Sequence, residues 1–245
     1  MSTSSRRAPM SGAARAVQEV QELILAEGLR PGDLMPTEAE LCERLEVSRS
    51  SVREAIRTLA SLDIVEVRHG HGTFVGTMSL APLVSGLVFR ARLNVGNDLR
   101  TLREVVEVRI AIDQAIAQSV VALHHGTDLT ALEALVEGMR ARASRGEAFP
   151  AEDSAFHAEL VAPLGNELIQ QLSEAFWQIH TAATPLLGVG RAEDIMVTVD
   201  AHQSMLDAIA AGDVDAYRAA ILAHYRPLEK VLADMAADSR DSRSV

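Results

Sequence analysis

Pro36-Thr37-Glu38-Ala39-Glu40-Leu41-Cys42-Glu43-Arg44-Leu45-Glu46-Val47-Ser48-Arg49-Ser50-Ser51-Val52-Arg53-Glu54-Ala55 decides how the N-terminal part of this chain folds. Thr37 followed three residues on by Glu40 is a capping-box pattern, which starts a helix running through Leu41, Cys42 and Leu45. Glu46-Val47-Ser48 leaves room only for a tight turn, and Ser48 is a good N-cap for a second helix that buries Val52, Ala55, Ile56 and Leu59. Upstream, Ala16, Val20, Leu23 and Ile24 recur every three or four residues, which predicts a helix over 13–26 before the Pro31-Gly32 turn. Downstream, Ile64–Arg68 and Thr73–Val75 form two short strands around His69-Gly70-His71-Gly72, whose glycines permit positive φ. Three helices followed by a hairpin is the order of a winged helix-turn-helix, here over residues 11–77.

Such a unit reads DNA through the start of its third helix. Arg49, Ser50 and Arg53 lie there, beside the apolar stripe, where an arginine can donate two hydrogen bonds to a guanine edge. The Ser48 and Ser50 hydroxyls suit phosphate oxygens, and Arg57 and Arg68 extend the positive strip. The net charge of −11 argues against nucleic acid only until it is divided. Residues 1–77 hold 9 basic and 11 acidic groups, whereas 78–245 hold 14 and 23, so the acidity belongs mainly to the second part.

That second part is all helix. Segments at 82–93, 98–123, 128–145, 151–162, 165–187, 192–211 and 213–236 are separated by Gly96-Asn97, Gly126-Thr127, Gly146, Pro163 to Gly165, Gly188 to Gly190 and Gly212-Asp213. Short connections imply an antiparallel bundle over 80–237, joined to the first unit through Thr77–Ala81 and followed by a polar tail at Asp238–Val245. The fold class is therefore mainly α. Hydrophobic residues at 48% with aromatics at only 3% suit closely packed Ala- and Leu-rich helices. The lone Cys42 excludes an intramolecular disulfide and a multi-cysteine zinc cluster. No apolar run approaches the length of a membrane span, and Met1–Pro9 lacks the apolar stretch of a secretory signal, so a soluble cytoplasmic protein is expected.

Within the bundle, Asp153-x-x-Phe156-His157 places a carboxylate and an imidazole on one helix face, and His202 and His224 fall on later helices that a bundle could bring to the same point. Three imidazoles and a carboxylate suit Zn, Ni, Mn or Fe, with one or two positions left for water or a ligand oxygen. The same four residues are also compatible with helix-surface or core positions. If they do bind a metal, it could sense, catalyse or simply brace the bundle.

The N-terminal segment resembles the GntR superfamily of bacterial transcription regulators. The resemblance rests on Leu29-Arg30-Pro31-Gly32-Asp33-Leu34-Met35-Pro36-Thr37-Glu38, Glu40-Leu41, Val47-Ser48-Arg49-Ser50-Ser51-Val52-Arg53-Glu54-Ala55 and the wing Arg68-His69-Gly70-His71-Gly72-Thr73-Phe74-Val75. It implies major-groove contacts by Arg49 and Arg53 and a minor-groove contact by His69-Gly70. Ala39 departs from the pattern, because many members carry an arginine there. The remainder is similar to the helical ligand-binding domain of the FadR subfamily, called FCD, through Glu107-Val108-Arg109 with Asp113, Asp153-x-x-Phe156-His157, Gly165-Asn166-Glu167-Leu168, His202-x-x-Met205, Gly212-Asp213-x-x-Ala216 and His224. Asp113 stands where the family usually has Glu. The likeness implies Asp153, His157, His202 and His224 as metal ligands, zinc foremost, and Arg109 as the partner of an effector carboxylate. It further implies a homodimeric repressor whose affinity for a palindromic operator is controlled by a small organic or sugar acid, with no catalytic residues. The alternative from another class is a metal-dependent hydrolase using the same Asp and three histidines.

Overall fold

The computed structural model describes residues 12–93, 100–187 and 192–241, and these fall into two compact units that divide between Pro82 and Leu83. The breaks expected at Gly96-Asn97 and Gly188 to Gly190, and the tail at Met1–Pro9, lie outside the described residues.

The first unit runs α1 (Gly12–Ala26), α2 (Glu38–Leu45), α3 (Arg49–Ser61), β1 (Val65–Arg68) and β2 (Gly72–Val75). The capping box forms as its residue types require: the Thr37 side chain accepts from Glu40 N, and a Glu40 carboxylate oxygen accepts from Thr37 N at 2.8 Å. Ser48 caps α3 by accepting from Ser51 N at 3.1 Å. The apolar faces of the helices and strands meet in one core of Val20, Ile24, Met35, Leu41, Val52, Ile56, Leu59, Val65 and Val75. The strands pair antiparallel with Val65 opposite Val75 and Arg68 opposite Gly72, and Gly70 and Gly72 take positive φ at the hairpin tip. Residues 33–35, expected only to follow a turn, add backbone pairing to the other side of β2: Met35 N donates to Thr73 O and Val75 N to Asp33 O. Asp63, between α3 and β1, has a positive φ of 58° and holds the outgoing chain, accepting from Thr77 Oγ1 and Ser79 N through one carboxylate oxygen.

The second unit holds all but the first two residues of α4 (Ala81–Leu93), then α5 (Arg100–His124), α6 (Thr130–Ala143), α7 (Pro150–Val161), a 3-10 turn (Ala162–Leu164), α8 (Glu167–Leu187), α9 (Ala192–Ala211) and α10 (Val214–Asp241). No strand occurs here among the described residues. Pro150 opens α7 at the position where its missing N–H costs nothing. The α9–α10 hairpin turns on Gly212, at φ 69°, with Asp213 N donating back to Ala208 O and Asp213 Oδ1 accepting from Ala216 N. Helix α10 continues to Asp241, so the polar tail expected from Asp238 is helical in its first four residues. Ala233, Ala236 and Ala237 favour helix, and neither Gly nor Pro stops it there.

Candidate metal centre and nucleic-acid interface

Faces of three helices converge inside the second unit. Asp153 and His157 lie one turn apart on α7, in the same apolar stripe as Phe156 and Leu160. His202 follows Val199 and precedes Met205 on α9, and His224 follows Ile221 on α10. Each is buried because it occupies a core position of an amphipathic helix, and the polar tips gather where the apolar stripes meet. One ligand atom from each of the four lies within 4.8 Å of all the others. His202 Nε2 is 3.1 Å and His157 Nε2 is 3.3 Å from Asp153 Oδ1, and His157 Nε2 is 3.3 Å from His224 Nε2. Ligands about 2.0–2.1 Å from a tetrahedral ion stand about 3.3 Å apart, so this spacing fits one ion.

The hydrogen bonding points the same way. His202 Nδ1 lies 2.8 Å from Thr198 O, and a carbonyl can only accept, so Nδ1 carries a proton. Nε2 is thereby aimed at the carboxylate oxygen: in the neutral ring its lone pair and that oxygen can share a cation, and in the imidazolium its N–H donates to Asp153. Burial works to raise the Asp153 carboxyl, but the contacts from His157 and His202 outweigh it and hold the group well below the usual carboxylate range. Burial, then the charge of Arg109, pushes His157 down, while burial, then His202, pushes His224 well down. An anionic Asp153 beside His157 and His224 pushed toward their neutral forms matches what metal coordination requires of those three. The rings pack edge to face around Phe156, which stands 4.7 Å from His202 between centroids. His224 Nδ1 is buried with no hydrogen-bond partner.

Next to this cluster sits a guanidinium. Arg109 is buried on α5, with its carbon 5.7 Å from the centre of the Tyr225 ring and its Nε donor unpartnered. Burial works against its charge, but Tyr225, Asp113 and Asp153 outweigh it and keep Arg109 protonated. Tyr225, beside His224 in sequence, donates to Asp113 Oδ2 at 2.6 Å. Sequence reasoning passed over Tyr225, although its place one residue after His224 on the inward stripe of α10 was a usable signal. The histidines without motif support have other occupations: His124 Nε2 lies 3.1 Å from Leu160 O and His125 Nδ1 3.1 Å from Ile209 O. His180 stacks on Trp177 and is pushed down by burial, then raised in part by Asp153.

In the first unit, Arg49 and Ser50 stand exposed at the start of α3. The Ser48 hydroxyl is committed to the cap and to the Ser50 and Ser51 hydroxyls at 2.8 and 2.9 Å. Arg53 pairs with Glu38 across the helix-turn-helix at 2.9 Å. Arg57 and Arg68, expected to extend the positive strip, are paired with Glu54 and Glu66, and Arg68 also lies over Phe74. His69 and Gly70 are exposed at the wing tip.

Two family signatures match the chain: "Bacterial regulatory proteins, gntR family" over residues 13–75 and "FCD domain" over 104–227. The chain is 30% identical over 192 residues to the galactonate operon transcriptional repressor of Escherichia coli (strain K12), covering 78% of this chain and 84% of that protein. It is 26% identical over 213 residues to the HTH-type transcriptional regulator LutR of Bacillus subtilis (strain 168), covering 84% and 94%. Among solved structures, a Streptococcus agalactiae GntR protein superposes with a TM-score of 0.57 at 26% identity, covering 89% of this chain and 99% of that one.

Proposed function

Since the chain belongs to the GntR family of bacterial regulatory proteins, with an FCD domain in its C-terminal half, and is a transcription regulator rather than an enzyme, we propose that it is a metal-dependent sensor of a small carboxylate. Residues 11–77 bind a palindromic operator as one half of a homodimer, and 80–237 hold the metal and the effector. Arg49 and Arg53, with Ser48 and Ser50 at the helix start, face the major groove, and His69 and Gly70 reach the minor groove. Asp153, His157, His202 and His224 hold a divalent ion, zinc before Ni, Mn or Fe, which supplies Lewis acidity toward an effector oxygen when bound. Arg109 pairs with the effector's carboxylate.

The observation that carries this reading is the convergence of one carboxylate and three imidazoles, with one ligand atom from each within 4.8 Å of all the others, next to a buried guanidinium with an unpartnered donor. Repression, with the effector weakening operator binding, is favoured by the relative named a galactonate operon repressor. The effector acts by binding one state of the bundle better than the other, with coupling of about 1–3 kcal/mol typical of such proteins. The test is elemental analysis of purified protein together with operator binding by fluorescence anisotropy. His202→Ala is expected to lose metal and effector response while keeping effector-free DNA binding. Unchanged metal stoichiometry removes His202 from the site.

A further inference from the structure

Arg109 and Asp113 stand one turn apart on α5, yet they form no close pair: Arg109 Nε lies 3.9 Å from Asp113 Oδ2. What holds that oxygen is the Tyr225 hydroxyl, at 2.6 Å. Asp113 therefore borders the guanidinium without satisfying it, and its side chain, 19% exposed, keeps access to whatever approaches Arg109. A carboxylate that paired with Arg109 would bring its own neighbouring carbons against Asp113.

Charge count then narrows the ligand. Asp153 and Asp113 oppose Arg109, which leaves one negative charge, and the divalent ion proposed above, whose imidazole ligands are neutral once coordinated, turns that into one positive. An interior that excludes water is least strained when its occupant cancels the remainder, and one negative charge on the ligand does so. A hydroxyl beside the ligand's carboxylate finds an acceptor in Asp113, whereas a second carboxylate there meets a like charge.

We infer that Asp113 is a specificity-determining residue, which among carboxylate effectors selects a singly charged, hydroxylated acid against dicarboxylates. The inference rests on the metal and Arg109 anchoring the effector, as proposed above. Tyr225 is the positioning residue: by holding Asp113 it keeps the internal carboxylate from taking Arg109 for itself.

The test is calorimetric titration of the zinc-loaded full-length protein with matched acids. Glycerate and gluconate carry one carboxylate and hydroxyls, tartronate and glucarate replace a hydroxymethyl end by a second carboxylate, and propionate and hexanoate lack the hydroxyls. Within at least one chain length, the hydroxylated monoanion is expected to bind about tenfold or more tighter than either counterpart. Asp113→Asn keeps the shape and an acceptor for Tyr225 but removes the charge. It should bring the dianion to near parity, with zinc content and melting temperature unchanged. Tyr225→Phe should weaken the monoanion by releasing Asp113 toward Arg109. Equal binding of monoanion and dianion by the unaltered protein, or an unchanged ratio in Asp113→Asn, overturns the selection while leaving the carboxylate sensor intact. Binding of none of the six acids overturns both.

Discussion

Both units carry exposed ion pairs, but among the described residues only the second also buries charge. In the reader, Arg53, Arg57 and Arg68 sit at the surface in ion pairs with Glu38, Glu54 and Glu66. In the helical unit, Arg142 and Arg145 pair likewise with Glu152 and Glu147, while Asp153 and Arg109 lie inside the bundle among aromatic and aliphatic side chains. Exposed pairs are weak and solvent-screened, so a surface arginine can exchange a carboxylate for a phosphate or a base edge at little cost. Buried charge cannot be exchanged that way; it must be matched in place by a fixed partner. A surface pair of this kind can trade partners, and a buried charge of this kind cannot.

The strongest way to break that contrast is to remove the buried partner. Asp153→Ala is expected to abolish stoichiometric zinc and with it the zinc-dependent rise in melting temperature, as checked by elemental analysis and calorimetry. At a free metal concentration about a thousand times Kd the lost stabilisation is about 4 kcal/mol. A zinc-dependent shift that survives in Asp153→Ala would place the ion elsewhere. Next in size, Arg49→Ala or Arg53→Ala should weaken specific operator binding about tenfold or more with no change in melting temperature. Intact binding would take these side chains out of the groove.

The third prediction concerns pH. His157 and His224 are depressed by burial, so in the window between their folded values and about 6.5 the unfolded chain binds more protons. Stability of the metal-free protein is thus full above about pH 6.5 and falls as the pH drops through that window, and Asp153, also depressed, continues the fall below about pH 4. Urea unfolding at several pH values checks this, and a flat profile down to pH 5 would show the imidazoles to be exposed. Smaller again, Thr37→Ala should cost about 1 kcal/mol in unfolding by removing a cap. The smallest effect is expected of Glu38→Gln, which frees Arg53 and should tighten nonspecific DNA binding by less than about threefold.

Much of the reader was legible because its determinants are local. Thr37 with Glu40, and Ser48 before an apolar stripe, specify two helix starts within a few residues of themselves. The pairing of residues 33–35 with β2 escaped notice because Asp33-Leu34-Met35 shows no alternation, and the contact is made to residues 40 positions away. The sensor was legible only in pieces. Periodicity sets which face of α7, α9 and α10 is buried, but nothing in one sequence says which helices become neighbours, so only the family resemblance brought the four side chains to one point. The Tyr225 contact to Asp113 spans 112 positions and carries no motif.

The placement of those ligands has a consequence for how the chain unravels. His157, His202 and His224 stand on α7, α9 and α10, separated by about 45 and about 22 residues of chain. An ion gripped by all of them would close two loops in series, and a closed loop has far fewer open conformations to escape into. With the ion in place, the α9–α10 hairpin could not peel from α7 without surrendering a coordinate bond. Slowly exchanging amides should therefore extend across all three helices in the loaded protein and shrink toward the best-packed segments once the ion is stripped.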